Sequence, residues 1–269
     1  ERAILKLYDG KTVMLDSTMK SSLIAHEANV RIEMDSNHLL RYSSHDSIGM
    51  ANVNKNNELI IPKGGEYQVM LADGTKVWLN SASRLIYPQS FMGKERRVVL
   101  SGEAFFDVAH DAERPFIVET GKCNMEVLGT KFNVEGYSDK DDFEVTLMEG
   151  SVRVASRIGL GDTLMLKPDS KACLQKDGRL KVIPVDDYNP YRWKEGLICF
   201  RNESFLSIMN DLEKYFGVSI VVENKNVLKY YFTGKFRQAD GIDYALRVLQ
   251  RDIRFKYERD DENQIIYIR

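Results

Sequence analysis

One peptide bond in this sequence joins two residues that can react with each other. Thr130 places its hydroxyl directly after the carbonyl of Gly129. In a strained turn such a hydroxyl can attack that carbonyl and shift the acyl group from nitrogen to oxygen, and hydrolysis of the resulting ester by water opens the chain. The alternative is a glycine that simply turns the chain before a strand. We favour this alternative and predict an intact bond, with Thr130 as the nucleophile if the bond does break.

Other reactive side chains lack the spacing that a metal or catalytic site needs. The acidic run at 139–144 begins like a calcium loop, but Phe143 and Glu144 stand where a ligand and a glycine are required. There is no G-x-S-x-G elbow, no phosphate-binding P-loop and no positive sign of a glycosidase carboxylate pair. We therefore predict no metal, no cofactor and no enzymatic activity. No two of the histidines have the i, i+4 spacing of a helical zinc site: His26, His38, His45 and His110.

The cysteines give no sign of a redox or zinc motif. Cys123, Cys173 and Cys199 lie far apart, and none belongs to a C-x-x-C pair. Each sits in an apolar stretch, so we predict buried small hydrophobic residues, the commonest environment of a free cysteine. Their odd number also argues against a full disulfide framework.

Length and composition indicate a globular protein of two domains. The chain has 269 residues, of which 43% are hydrophobic and 29% charged, a balance that excludes disorder and fibrous proteins. Lys plus Arg is 38 and Asp plus Glu is 40, and the absence of a basic run argues against nucleic-acid binding. No window approaches the roughly 18 continuous apolar residues of a membrane helix. Because the first residues read as the middle of a longer chain, we expect this to be a soluble fragment.

Three Asp-Gly pairs predict β-hairpins in the first two thirds of the chain. They are Asp9-Gly10, Asp73-Gly74 and Asp177-Gly178, and such pairs suit type I′ turns because glycine tolerates positive φ. In the clearest hairpin, residues 67–80, Val69 and Leu71 face one way on the first strand, and Val77 and Leu79 do so on the second. Turn residues recur about every ten positions up to about 185, which is typical of an all-β sandwich or barrel-like fold. We predict a mainly β N-terminal domain, a hairpin-rich stacked β-structure.

The pattern changes after a polar, proline-containing stretch at 186–194, which we interpret as a linker. Apolar residues then fall at helical spacing over 205–216, with Asn202 or Ser204 as N-cap and Gly217 after the end. They do so again over 242–249, where Asp240 can cap the helix. Strand-like runs surround both helices, and the last two are Ile253 to Tyr257 and Gln264 to Ile268. The order β-α-β-β-α-β-β indicates a small α+β domain with two helices packed on one face of a sheet. The predicted segments are a β-hairpin N-terminal extension packed on the β-domain (1–63), the β-domain (64–185), the linker (186–194) and the C-terminal α+β domain (195–269).

The central β-segment resembles the FecR family of anti-sigma factors. The resemblance covers about residues 64 to 175, and its motifs are specific in combination although each alone is weak. One departure is Pro168-Asp169, where the family usually has Pro-Gly. The matching motifs are Leu71–Thr75 with Val77–Asn80, Leu100–Val108, Arg114–Val118, Val127–Val134 and Leu147–Val152.

The C-terminal stretch, about 197 to 269, is similar to the small domain that follows in FecR-family members from polysaccharide-utilising Gram-negative bacteria. That domain resembles in fold the signalling domains of secretins and TonB-dependent transducers. The matching motifs are Phe200–Leu206, Leu212–Phe216, Phe232–Phe236 and Ala245–Leu249.

The resemblance implies a function in transmembrane signalling. The chain would be the periplasmic part of an anti-sigma factor, anchored to the inner membrane by an upstream helix. It would relay the ligand-bound state of an outer-membrane TonB-dependent transducer to a cytoplasmic ECF sigma factor, bound through an upstream segment. Some family members cleave themselves at the bond that matches Gly129-Thr130.

The predicted contact with the transducer is strand pairing at an open edge of the small sheet. The candidate edges are Tyr230 to Phe236 and Gln264 to Ile268, because both are rich in β-formers and contain no proline. The predicted partner-binding residues are Tyr230, Phe232, Gly234, Phe236, Ile266 and Ile268. The alternative for these two strands is an interior position in the sheet.

The alternatives to a signalling module are a structural or carbohydrate-binding β-protein and a carbohydrate-active enzyme.

Overall fold

The computed structural model describes residues 3–15, 22–27, 30–35, 39–44, 55–159 and 161–269. The chain divides into two compact units. The β unit consists of Glu1–Ile61 and Glu66–Asp186, and the α+β unit consists of Pro62–Gly65 and Asp187–Arg269.

The described part of the β unit is built from strands. Those from the first half are β1 (Ala3–Lys6), β2 (Thr12–Leu15), β3 (Ser22–Glu27), β4 (Val30–Met34), β5 (Leu40–Ser44), β6 (Asn56–Ile60), β7 (Tyr67–Met70), β8 (Lys76–Leu79) and β9 (Arg84–Pro88). Those from the second half are β10 (Arg96–Asp107), β11 (Phe116–Glu119), β12 (Cys123–Val127), β13 (Lys131–Gly136), β14 (Glu144–Glu149), β15 (Val152–Ser156), β16 (Thr163–Leu166), β17 (Ser170–Leu174) and β18 (Leu180–Pro184).

Strand β10 belongs to two sheets. Its first half pairs with β9 and β11 in a sheet of order β2-β1-β6-β9-β10-β11-β12-β15-β16. Its second half pairs with β8 and β13 in a sheet of order β3-β4-β5-β7-β8-β10-β13-β14-β17-β18. The change of sheet falls at Gly102, where φ is +115° and a Cβ atom would lie 2.4 Å from Ser83 Oγ. Only glycine fits this crossing, because a side chain would be both strained and blocked.

A single hydrophobic core lies between the two sheets. Alternate residues of each strand face it, as in Val98 and Leu100 from one sheet and Phe106 and Val134 from the other, all at most 1% exposed. Such alternation is expected where one face of each sheet is buried. The predicted mainly β character of this region is confirmed.

The three Asp-Gly turns have one common geometry, and it is not the predicted type I′. In the clearest, Gly74 N–H donates to Leu71 O (3.0 Å) and Leu71 N–H donates to Thr75 O (2.8 Å). All three glycines have φ of +87°, whereas positive φ is absent from their aspartates. The loop is thus a type I turn followed by a glycine bulge. The Asp73 carboxylate accepts the N–H of Thr75 at 3.0 Å, an Asx-turn contact that holds the aspartate in the right-handed region.

The α+β unit has the predicted order β-α-β-β-α-β-β. Its elements are β19 (Leu197–Ser204), α1 (Phe205–Phe216), β20 (Ser219–Val222), β21 (Tyr231–Arg237), α2 (Ile242–Leu249), β22 (Tyr257–Asp260) and β23 (Ile265–Ile268), with 3-10 helices at Asn189–Glu195, Lys225–Lys229 and Gln238–Asp240. Its strands form two sheets instead of the single predicted sheet. One sheet pairs β19 with β21, and the other has the order β20-β23-β22.

Helix α1 begins and ends at the predicted signals. Ser204 Oγ accepts the N–H of Ser207, and Gly217 adopts the left-handed conformation at the C-terminal end. Its apolar face and that of α2 are buried in the core of the unit.

Three sequence-based expectations about this unit differ from the structure. Asp240 does not cap α2, because Gly241 occupies the N-cap position and no side chain caps the helix. The strand expected at 253–257 begins only at Tyr257, since Ile253 and Phe255 fill the core without pairing. Within the stretch 186–194, the residues from Asn189 onward belong to a 3-10 helix in which Trp193 is buried.

Candidate functional site

The Gly129-Thr130 bond lies in a closely packed corner of the β unit. A Cβ atom on Gly129 would lie 2.7 Å from His110 Nδ1 and 2.8 Å from His110 Cα. On the other side, a Cβ atom on Gly150 would lie 2.8 Å from Thr130 Oγ1 and 3.0 Å from Gly129 O. Both glycines are therefore required by the close approach of their neighbours.

The Thr130 hydroxyl is already engaged. Thr130 is only 4% exposed, and its Oγ1 donates to Ser151 O at 3.0 Å. Attack on the Gly129 carbonyl requires the hydroxyl to lose its proton, and a peptide carbonyl such as Ser151 O is a poor base. This arrangement is compatible with a structural role for Thr130, and the intact bond stays a prediction.

Arg96 is the residue that sequence reasoning missed in this corner. Its guanidinium is 1% exposed and forms a 2.8 Å ion pair with Asp73, itself 5% exposed. It also donates to three backbone carbonyls, those of Arg114 (2.8 Å), Ala109 (2.7 Å) and Leu128 (3.4 Å). One buried cation thus ties the central Asp-Gly turn to the chain just before Gly129.

A signal for this contact was present in the sequence. Arg96 shares its strand face with Val98 and Leu100, both buried. A charged residue at an inward position of an alternating strand needs a buried partner. Of the three Asp-Gly turns, the one with Asp73 is the only one that pairs with a buried arginine in the described part of the chain.

The cysteines divide into two kinds. Cys123 is fully buried as predicted, and desolvation raises the pKa of its thiol to about 12. Cys173 and Cys199 are only partly buried, which corrects the prediction for these two. Burial still raises the pKa of Cys173 to about 11, so its thiol is protonated at neutral pH and a poor nucleophile.

No group of three or more metal-ligating side chains converges in the described ranges. His38 and His45 lie outside those ranges, as does the side chain of His26. No helix within the described ranges has both the length and the apolar character needed to cross a membrane.

One of the two predicted partner-binding edges is wrong. Strand β23 pairs with β20 on one side and with β22 on the other. The side chains of Ile266 and Ile268 are at most 1% exposed. A central strand with both edges paired has no free backbone groups for another chain, so Gln264 to Ile268 is not an edge.

The other predicted edge is open. Strand β21 pairs with β19 on one side only, and no other strand of the described chain pairs with it. Phe232 and Phe236 point into the core of the unit, whereas Tyr230 and Gly234 are exposed. A partner strand would therefore contact the backbone next to Phe232 and Phe236 and not their side chains.

The outward N–H groups of β21 can be assigned from the register. Gln238 N–H donates to Gly196 O at 2.9 Å, toward the β19 side. Because successive N–H groups of a strand point to opposite edges, those of Gly234 and Phe236 also face β19. The N–H groups of Thr233 and Lys235 then face outward, where a partner strand can accept them.

The β20 edge of the other sheet is closed differently. Ser219 N–H donates to Gln264 O on the β23 side, so the N–H of Ile220 points away from the sheet. That outward N–H donates to the Glu213 carboxylate, carried by α1. A side chain thus occupies the position that a partner strand would need.

Comparison with known proteins agrees with this two-unit architecture. Residues 57–153 match the family model described as FecR protein, and residues 197–268 match that of the FecR C-terminal region. No curated protein matches the chain.

Two crystal structures of a candidate anti-sigma factor from Parabacteroides distasonis ATCC 8503, at 1.65 Å and 2.50 Å, are similar to this chain. Each is 28% identical with a TM-score of 0.67, over 79% of this chain and 98% of the other. The fold and the two matched regions define a regulatory protein of the anti-sigma class. The chain belongs to the FecR family, whose members are membrane-anchored anti-sigma factors and not known as enzymes.

Proposed function

We propose that this chain is the periplasmic part of an anti-sigma factor that relays the state of an outer-membrane TonB-dependent transducer to a cytoplasmic ECF sigma factor. The α+β unit binds the signalling domain of the transducer, and an inner-membrane helix upstream connects the chain to the segment that holds the sigma factor. Membership of the FecR family supports the regulatory role and implies a sigma factor as partner.

The observation that carries the proposed contact is the open outer edge of β21. Its outward N–H groups at Thr233 and Lys235 give a partner strand two donors in register. Strand addition of this kind supplies affinity through backbone hydrogen bonds. At Gly234 a Cβ atom would lie 3.2 Å from the ring of Phe200, so glycine lets the ring pack against the strand.

A carbohydrate-binding role finds less support. Sugar-binding surfaces use exposed aromatic rings, and Tyr8 is the only aromatic residue of the described β unit among the exposed large hydrophobic residues. The Lys55 ammonium lies 4.1 Å from the centre of its ring. A single ring already covered by a cation is a poor stacking platform.

The proposed function is tested by a binding experiment with the whole 269-residue chain. A pull-down against purified signalling domains of outer-membrane transducers identifies the partner, and titration calorimetry then measures its affinity. Lys235→Pro removes an outward N–H and should abolish binding, whereas Lys235→Ala retains that N–H as a matched control. Gly234, the residue before the new proline, tolerates the restriction that proline imposes on its neighbour.

Two results would contradict the proposal. If no signalling domain is captured by the wild-type chain, the relay function is wrong. If Lys235→Pro binds as well as Lys235→Ala while circular dichroism shows both folded, the contact is made elsewhere than at this edge.

A further inference from the structure

The last two exposed side chains of β21, Lys235 and Arg237, are positively charged. Four residues alternate on the exposed face: Tyr231, Thr233, Lys235 and Arg237. The strand contains no acidic residue, and neither Lys235 nor Arg237 takes part in an ion pair in the described part of the chain. The open edge thus carries two positive charges, two residues apart, that form no ion pair with the described residues.

The charges of the edge strand β22 are arranged differently. Arg259 pairs with Asp243 (2.6 Å) and Asp261 (3.0 Å), and Glu258 pairs with Arg269 (2.5 Å). Neighbouring side chains therefore neutralise Glu258 and Arg259, and the Asp260 carboxylate accepts hydrogen bonds from Asn263. Strand β20 carries no charged residue at all. Among these three edges of the described unit, only β21 combines free outward N–H groups with unpaired cations.

Unpaired cations on an open edge affect the choice of partner. Like charges directly opposite each other across two strands are unfavourable, and opposite charges are favourable, by about 0.2–1 kcal/mol per pair. A second copy of β21 would place cations near cations, so the edge resists pairing with itself. A strand with carboxylates at matching positions gains from the same two residues.

We propose that the partner strand carries two carboxylate side chains two residues apart, which lie opposite Lys235 and Arg237 when it adds to β21. A residue further along the same face of the partner strand meets Tyr231, which is 63% exposed, and is apolar or aromatic. This inference rests on the proposed function and specifies the chemistry of the segment that the transducer's signalling domain presents.

The test is a charge reversal in the 269-residue chain, measured against the signalling domain identified by pull-down. The double variant Lys235→Glu with Arg237→Glu keeps every backbone N–H. It should weaken binding by about tenfold or more at low salt. The affinity of the wild-type chain should fall as salt is added, because the pairs are exposed and screened. The matched control, Arg251→Glu with Arg254→Glu, makes the same change in net charge at exposed positions of the same unit and should bind within about twofold of wild type.

The outcomes separate this inference from the proposed function. If the β21 double variant binds like wild type while Lys235→Pro does not bind, the strand contact stands and the carboxylate inference is wrong. An equal loss in both double variants would show a general effect of net charge and would also overturn the inference. If two acidic residues of the partner strand are changed to lysine and binding to the β21 double variant is restored, those two residues are the paired carboxylates.

Discussion

Arg96 of the β unit is enclosed by one carboxylate and three carbonyls, whereas Lys235 and Arg237 of the α+β unit have no anionic partner among the described residues. The same contrast holds for the positions where close packing against neighbouring atoms requires glycine. Gly102 and Gly129 lie against neighbouring backbone in the β unit, and Gly234 lies at an exposed edge of the α+β unit. In the β unit these special residues serve the internal packing, while in the α+β unit they leave a backbone edge available.

This difference suggests a division of labour between the units. A core that joins two sheets and is fastened by a buried ion pair forms a stable scaffold. A small unit with a two-stranded sheet leaves the outer edge of β21 without a strand partner among the described strands, which is a liability unless a partner covers it.

The largest expected effect is on the stability of the β unit. Arg96→Ala leaves the Asp73 carboxylate buried without its cation and removes the donors to three carbonyls. The free energy of unfolding should fall by about 3–5 kcal/mol, as measured by denaturant unfolding. The neighbouring Arg97→Ala is the matched control. Its side chain is 42% exposed in surface ion pairs, so its loss should cost no more than about 1 kcal/mol. Equal losses for the two arginines would refute the special role of Arg96.

A smaller effect is expected in limited proteolysis, where the protease should cut the folded chain between the two units. We predict that the two units are separable domains, with the break near Asp186 to Lys194 and a stable fragment of about residues 195 to 269. Because Asn189–Glu195 is helical with Trp193 buried, the first cut should fall on the N-terminal side of this helix, at 186–188, and the fragment should then begin there instead of at about 195. Mass spectrometry of the digest locates the cut. Resistance of this stretch, or a C-terminal fragment that cannot fold, would count against two independent units.

The smallest effect is expected at Gly129-Thr130. Since the Thr130 hydroxyl donates to Ser151 O, the purified protein should show the mass of one uncleaved chain. Thr130→Val should leave that pattern unchanged. A fragment that begins at Thr130 and disappears in Thr130→Val would show that the corner is a self-cleavage site.

Local patterns in the sequence predicted much of the fold. Alternation in β7 and β8 correctly placed Val69 and Val77 in the core, because a two-residue period leaves only one way to bury such a face. The Ser204 cap and Gly217 correctly delimited α1 for equally local reasons. The turn type at Asp73-Gly74 was wrong, since the side-chain contact to Thr75 decides it and Asp-Gly is compatible with both turns.

The candidate site depended on features that are not local. Which strand of a small sheet lies at its centre is set by tertiary pairing, so Gln264 to Ile268 was wrongly taken as an edge. The residues themselves held a hint, because β23 is almost continuously apolar whereas β22 is mostly charged. Continuous apolar runs are typical of central strands. The Glu213 contact that closes β20 has no counterpart in any sequence motif.

The most direct test of the account is amide hydrogen exchange of the 269-residue chain, free and bound to the transducer's signalling domain, at single-residue resolution. The outward amides of Thr233 and Lys235 should exchange rapidly in the free chain and become strongly protected in the complex. The amides of Gly234 and Phe236, already bonded to β19, should change little. Protection that appears only on α1, on α2 or in the β unit, with Thr233 and Lys235 unchanged, would contradict binding by strand addition at β21.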